Sequence, residues 1–512
     1  MRLRTRFCAL LALALLAASA QANVALRHIF SDNMVLQQGQ PVPVFGTAEG
    51  GEKITVTVAG QTGETTAAAD GKWLVKLPAL KAGGPYELVV KGANTLTLKN
   101  VLVGEVWIAS GQSNMGFQLR QATTGADAIA KSANPMLRLF SVPLKGSPEP
   151  LADINASWVE ASPQTTPNFT AVGYFFARDL QAALGVPVGI INSSWGGTPA
   201  EAWTAPGFFT DPEYKGMMDG WTKQLADYPA AMEKYRNETL PKWQEAVKQA
   251  KADGKPEPRR PNPPNGPDSQ NRPGNLFNGM IYPLVPFAVK GAVWYQGEAN
   301  SGRAYAYRRL LPAMVGTWRE AFGLPTMGFY IAELAPFMAV RPEPGESTWA
   351  ELREAQYLTS KALSPSGVAV TTDVGDPNDI HPKHKEPVGG RLALQALAKT
   401  YGKAVPCDGP TYRELKIEGA KARVLLDHTD GGLVCRGDKL TGWAIAGEDK
   451  KWVWADATID GTSVVVSSPA VAAPVAVRYA WADCPVVNLW NGAGLPAIPF
   501  RTDDWKGITQ PK

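Results

Sequence analysis

The chain has 512 residues, 45% of them hydrophobic and 19% charged, with 42 prolines and 50 glycines. Such a length predicts two to four domains rather than one compact core, and the proline and glycine content favours β-rich, loop-rich architecture. The formal net charge is +4. Residues 1–22 pair a basic start (Arg2, Arg4, Arg6) with a short apolar stretch over 7–18 and small residues at Ala20 and Ala22. They read as a secretory signal peptide cleaved after Ala22, which makes the protein periplasmic or secreted, without a membrane anchor. Cleavage takes three positive charges from +4 and leaves +1, a near-neutral balance that argues against nucleic acid or an anionic membrane as the main partner. Residues 23–102 carry short alternating runs such as KITVTV and GKWLVKL between glycine turns, the pattern of a small β-sandwich.

From residue 103 to 405 apolar runs (EVWIAS, PVGIINSS, GAVWYQG, MGFYIAEL, GVAVTTDVG) alternate with helical stretches such as VGYFFARDLQAALG. This alternation predicts an α/β domain with a parallel sheet and helices on both faces. Residues 211–274 interrupt it with charged helical sequence and a proline-rich return, an insertion expected to rim whatever cleft the domain holds. Residues 406–512 return to short strands and an irregular tail, a C-terminal β-rich domain. It holds Cys407, Cys435 and Cys484, for which an oxidising compartment predicts one disulfide and one free thiol.

Parallel α/β sheets gather functional groups beyond the carboxyl ends of their strands. Four such ends carry unusual residues: Gly111-Gln112-Ser113-Asn114, Trp195-Gly196-Gly197-Thr198, Gln296-Gly297-Glu298, and the run from Asp376 to Pro382. Acyl transfer needs a nucleophile with a base in reach and preorganised donors for the oxyanion. Ser113 suits the nucleophile, a backbone N–H at Gly196 or Gly197 and the Gln296 amide suit the donors, and His381 suits the base with Asp379 behind it. Locally, Ser113 reads equally well as a helix cap. The chain has four histidines, and only His381 and His384 lie in the α/β region, so a Ser–His enzyme uses one of these two. Gln112, Asn114, Trp195 and Glu298 are candidate substrate contacts; alternatively Gln112 and Asn114 brace the turn, Trp195, like Trp294, is pocket wall or core, and Glu298 is a brace or an orienting acid. Asp376, Asp379, His381 and His384 also form a compact set for a divalent ion, but their spacing matches no zinc signature.

Together FSDNMVLQQGQPVPVFGTA, GEVWIASGQSNM, NSSWGGTPAEAW, GAVWYQGEAN and DVGDPNDIHPKHKEPVGGRLA resemble the sialate O-acetylesterase family of the SGNH hydrolase superfamily. The resemblance implies a flavodoxin-like three-layer α/β/α core flanked by β-sandwich-like domains. It further implies a serine esterase for O-acetylated sugars or oligosaccharides that needs no cofactor or metal. By motif position it places the nucleophile on Ser113, an oxyanion glycine at 196 or 197 and a third donor on Gln296. The superfamily's usual acid position, three before the histidine, holds Asn378 here, which leaves Asp379, Asp376 or Glu298 for that role. Related acetylxylan esterases share the GQSNM and YQGE pattern, so acetylated hemicellulose (xylan or xyloglucan) stands beside sialic acid as a substrate. A sialate site should offer a cation for the sugar carboxylate, with Arg120, Arg303 and Arg391 as candidates. A non-catalytic carbohydrate-binding protein with a degenerate core is the reading from another class.

Overall fold

The computed structural model describes residues 23–511, so the signal-peptide reading lies outside the described residues. Strand β1, Thr95–Gly111, organises the molecule. Its first half alternates between exposed and partly buried residues, and everything from Val101 onward is buried. The sequence says why: TLTLKN alternates as an edge of a half-solvated sheet does, whereas VLVGEVWIAS is apolar on both faces. The first half pairs with Gly83–Lys91 of the N-terminal β-region, and the second half is a central strand of the α/β sheet. The expected boundary at 102/103 therefore falls within one strand, with no linker.

The other strands of this sheet are β2 (Asn134–Ser141), β3 (Val159–Ala161), β4 (Val188–Ser194), β5 (Gly291–Tyr295), β6 (Gly328–Ala332) and β7 (Ser366–Ala369). Their order is β3-β2-β4-β1-β5-β6-β7, all parallel except β3. Setting aside β2 and β3, the five remaining strands run 2-1-3-4-5, the flavodoxin-like order. Successive residues point to opposite layers. Val106 and Ile108 pack with Trp294, Tyr307 and Leu352, while Trp107 and Ala109 pack with Phe175, Tyr330 and Leu392. Helices α1 (Ala171–Leu184) and α4 (Glu386–Lys399) thus cover one face, and α2 (Ala304–Phe322) and α3 (Thr348–Ala362) the other. The three-layer α/β/α core follows from those alternations.

Beyond the core, two four-stranded antiparallel sheets in the C-terminal region share a centre of Val424, Trp443, Val464, Tyr479 and Phe500. Cys407, Cys435 and Cys484 are all free thiols, which corrects the expected disulfide. Each has its own surroundings: Cys407 Sγ bonds Asp408, Cys435 Sγ bonds the Gly437 carbonyl, and Cys484 lines a recess with Trp443 and Trp454. The insertion is helical without a break across 215–252, passing through a π-turn at Tyr235–Thr239. Its proline-rich return lies back along that helix, with Trp243 Nε1 donating to Pro258 O and Tyr235 Oη to Pro261 O. Among the described residues no helix is long and apolar enough to cross a membrane.

Candidate active site

Strand β1 ends at Gly111, where φ is +134° and a Cβ would lie 2.1 Å from the Tyr295 carbonyl oxygen. Only glycine fits that approach. The chain then enters one helical turn, Ser113–Gly116, with Gln112 at the cap position and no side-chain cap. The capping alternative for Ser113 is thereby removed. Ser113 Oγ lies 2.8 Å from His381 Nε2 on the loop after β7. Burial holds the imidazole pKa below its usual value; the nearby Lys385 ammonium adds to that lowering and Asp379 opposes it. His384, the other candidate, lines a separate recess with Asp179 and Glu386.

The two glycines of the loop after β4 separate cleanly. A Cβ on Gly196 would touch Ser113 Cβ at 3.2 Å, whereas Gly197 has φ +73° and open space around it. Among the described residues neither the Ser113 nor the Gly196 N–H has a protein acceptor. Both residues line an open cleft of about 980 Å³ whose walls include Phe117, Gln118, Asn168, Asn192, Trp195 and Lys383. Asn192 Oδ1 accepts from Ser194 Oγ at 2.7 Å, which leaves the Asn192 amide hydrogens for the cleft.

Several expected contacts are placed elsewhere. Gln296 is fully buried, with Nε2 donating to Asn300 Oδ1 at 2.7 Å and to Thr198 O at 3.1 Å. Both amide hydrogens are engaged, so Gln296 has no donor left for an oxyanion; it ties the glycine loop to the β5 turn instead. Gln112 Oε1 accepts from the Gly297 and Ala299 N–H groups, and Asn114 and Glu298 bond each other at 2.6 Å beneath the cleft. Of the expected sugar contacts, only Trp195 lines the cleft; Trp294 is core, packed on Trp203 and Trp318. Asp379 Oδ1 accepts the His381 backbone N–H at 2.9 Å and stands 3.9 Å from Nδ1, beyond hydrogen-bond range. Asp376 accepts from the Asn378 N–H, and Glu298 faces Asn114, so neither replaces it. Among the described residues no three His, Cys, Asp or Glu side chains are grouped to hold a metal ion.

No family profile matches the sequence. Rat and human sialate O-acetylesterases are each 27% identical, matched over 94% of this chain and 95% and 93% of their own lengths. A crystal structure of a carbohydrate acetylesterase from Xanthomonas citri is 39% identical, covers 94% of this chain and 100% of its own, and superimposes with a TM-score of 0.80. The chain belongs to the carbohydrate acetylesterase family.

Three residues of this acetylesterase's site were not singled out by motif. Lys385, only 1% exposed, donates from Nζ to Asn114 Oδ1. Burial pushes its ammonium down to about 7, with Glu298 pulling the other way. Its position was legible: it caps the start of α4, three and seven residues before the buried Val388 and Leu392 and so in line with the helix's inward stripe. Lys383 is a cation in the cleft wall. Gln270, from the insertion's return, donates to the Gly196 carbonyl at 3.3 Å, so the insertion's end reaches the glycine loop. Of the three arginines considered for a sugar carboxylate, Arg391 pairs with Asp373, Arg303 pairs with Glu201, and Arg120 is outside the cleft wall.

Proposed function

We propose that this acetylesterase is a secreted or periplasmic serine hydrolase that removes O-acetyl groups from carbohydrate through an acyl-enzyme. Ser113 Oγ attacks the acetyl carbonyl while His381 Nε2 takes its proton, and the oxyanion meets the Ser113 and Gly196 N–H groups and the Asn192 amide. Collapse breaks the ester bond as His381 returns the proton to the departing sugar oxygen, leaving acetyl-Ser113. Water, deprotonated by His381, then releases acetate. The observation that carries this reading is the 2.8 Å contact between Ser113 Oγ and His381 Nε2 at the floor of an open cleft. Hydrolysis of p-nitrophenyl acetate by S113A and H381A tests it: each should lose at least about 10³-fold. A near wild-type rate in either overturns the assignment. Covalent labelling by a fluorophosphonate separates the enzyme from a degenerate, sugar-binding relative.

The sugar is read from the cleft wall. The relatives named sialate O-acetylesterases support an acetylated sialic acid, and Lys383 supplies the cation that its carboxylate needs. A second reading, acetylated hemicellulose, is favoured by the amides of Gln118, Asn168 and Asn192, which suit neutral hydroxyls, and by the cleft's volume of about 980 Å³. Acetate release from acetylated sialic acid, xylan and xyloglucan oligosaccharides decides between them. If sialate is the substrate, K383A raises its KM well above any change for xylan.

A further inference from the structure

The structure assigns Lys385 as a positioning residue that holds Ser113 and His381 in register by locking the Asn114 amide between them. This inference rests on the Ser113–His381 reading of the site. Asn114 follows the nucleophile in sequence and Ile380 precedes the base, and Asn114 Nδ2 donates to the Ile380 carbonyl at 3.0 Å. One hydrogen bond therefore joins the immediate neighbours of the two reacting side chains. An amide can flip end for end, which would turn that donor into an acceptor facing a carbonyl. Here both ends are fixed: Lys385 Nζ, which as the ammonium can only donate, holds Oδ1, while the Glu298 carboxylate, 2.6 Å away, accepts from Nδ2. Three strand-end loops, after β1, β5 and β7, and the start of α4 thus meet on one asparagine.

Burial defines the device further. Asn114 and Lys385 are each 1% exposed, and the Lys385 ammonium lies 4.9 Å from the Phe117 ring centre and 5.3 Å from that of Tyr295. Among the described residues Glu298 Oε2 is buried without a partner. A lysine that served only to fill space would not need an aromatic cradle and a carboxylate across the amide. The charged groups facing His381 are Asp379 and Lys385; those facing Lys385 are Glu298 from the β5 turn and Asp379 from its own loop. Over the acid side of neutrality, where the imidazole titrates, the lysine carries its proton and opposes protonation of His381.

The test compares K385M and N114D with wild type in p-nitrophenyl acetate hydrolysis across pH, with folding checked by thermal melting. Each folded variant should lose about tenfold or more in kcat with KM changed less than about threefold, as misplacement of reacting atoms does. The acid limb of kcat/KM should move to higher pH by about half a unit or more, because the opposing charge is gone or a negative one added. N114D carries the test if K385M does not fold. A kcat within twofold of wild type, or a loss of kcat with an unmoved acid limb, overturns the proposal. Fluorophosphonate labelling distinguishes the two levels: no labelling of wild-type Ser113 refutes the Ser–His reading itself, whereas equal labelling rates in wild type and K385M refute only the role of Lys385.

Discussion

Replacing Gly196 by alanine places a methyl group 3.2 Å from Ser113 Cβ, where ordinary carbon contacts lie at about 3.5–4.0 Å. Gly196 is not in the left-handed region, so its backbone tolerates the change. The relief must come from Ser113 moving by roughly 0.3–0.8 Å, since Gly111 and the Tyr295 carbonyl fix the turn behind it. A misplacement of about 1 Å costs on the order of 10²-fold in rate, so a loss of roughly 5- to 50-fold in kcat/KM is expected. Gly197→Ala has the opposite profile. Its φ of +73° costs an alanine about 1–2 kcal/mol of stability, while open space spares the serine. Kinetics with p-nitrophenyl acetate and melting curves on both variants separate these effects. A G196A enzyme with wild-type kcat/KM beside a G197A enzyme that is folded but slow would refute the geometric argument and move the oxyanion donor to residue 197.

Four further outcomes follow from the same geometry. D379N should reduce kcat far less than the ~10⁴-fold typical of a triad acid bonded to the imidazole, because the carboxylate stands 3.9 Å from Nδ1; a loss of that size would show that the two close up in the working enzyme. The acid limb of wild-type kcat/KM should fall below the usual imidazole value of 6.5, since activity needs the neutral base and burial lowers its pKa; a limb above 6.5 contradicts this. Buried Glu333 has its carboxyl pushed up to about 7 by desolvation, so its penalty on folding is absent below pH 4.5, grows as pH rises, and reaches roughly 3 kcal/mol above 7 at about 1.4 kcal/mol per unit. Glu333→Gln should therefore raise the melting temperature at pH 8 and change it little at pH 4.5. A chain beginning at residue 23 should titrate three thiols after denaturation without reductant; one thiol would reveal a disulfide.

What the sequence made legible was set by local patterning. Apolar runs ending in small or polar residues identified the strand ends, and a four-histidine census reduced the base to two positions. Those arguments depend on periodicity and on chain topology, both written along the sequence. Side-chain direction is not. Gln296 and Asn114 have amides suited to a substrate, and only the packing around them shows both ends engaged inside the protein: Tyr307 and Lys385 donate to the two amide oxygens, and Asn300 and Glu298 accept from the nitrogens. The disulfide expectation failed for a related reason: a compartment allows cysteines to pair but does not bring them together. Asp379 lies next to the right residue in sequence, yet its carboxylate turns to the His381 backbone, a choice made by the short turn that the DPND run forms.

Strand β1 has a consequence for how this enzyme can be dissected. Ser113 stands just beyond one tip of a continuous rod, and the other end of that rod is woven into the N-terminal β-region. A cut at 102/103, natural as it looks on paper, would saw through the rod and strip Val35–Gln37 and Gly83–Lys91 from its flanks. The N-terminal region is thus an abutment for the Ser113 turn, not an appendage that can be shed or grafted. Any exchange of the flanking β-domains in this scaffold has to begin at the C-terminal end.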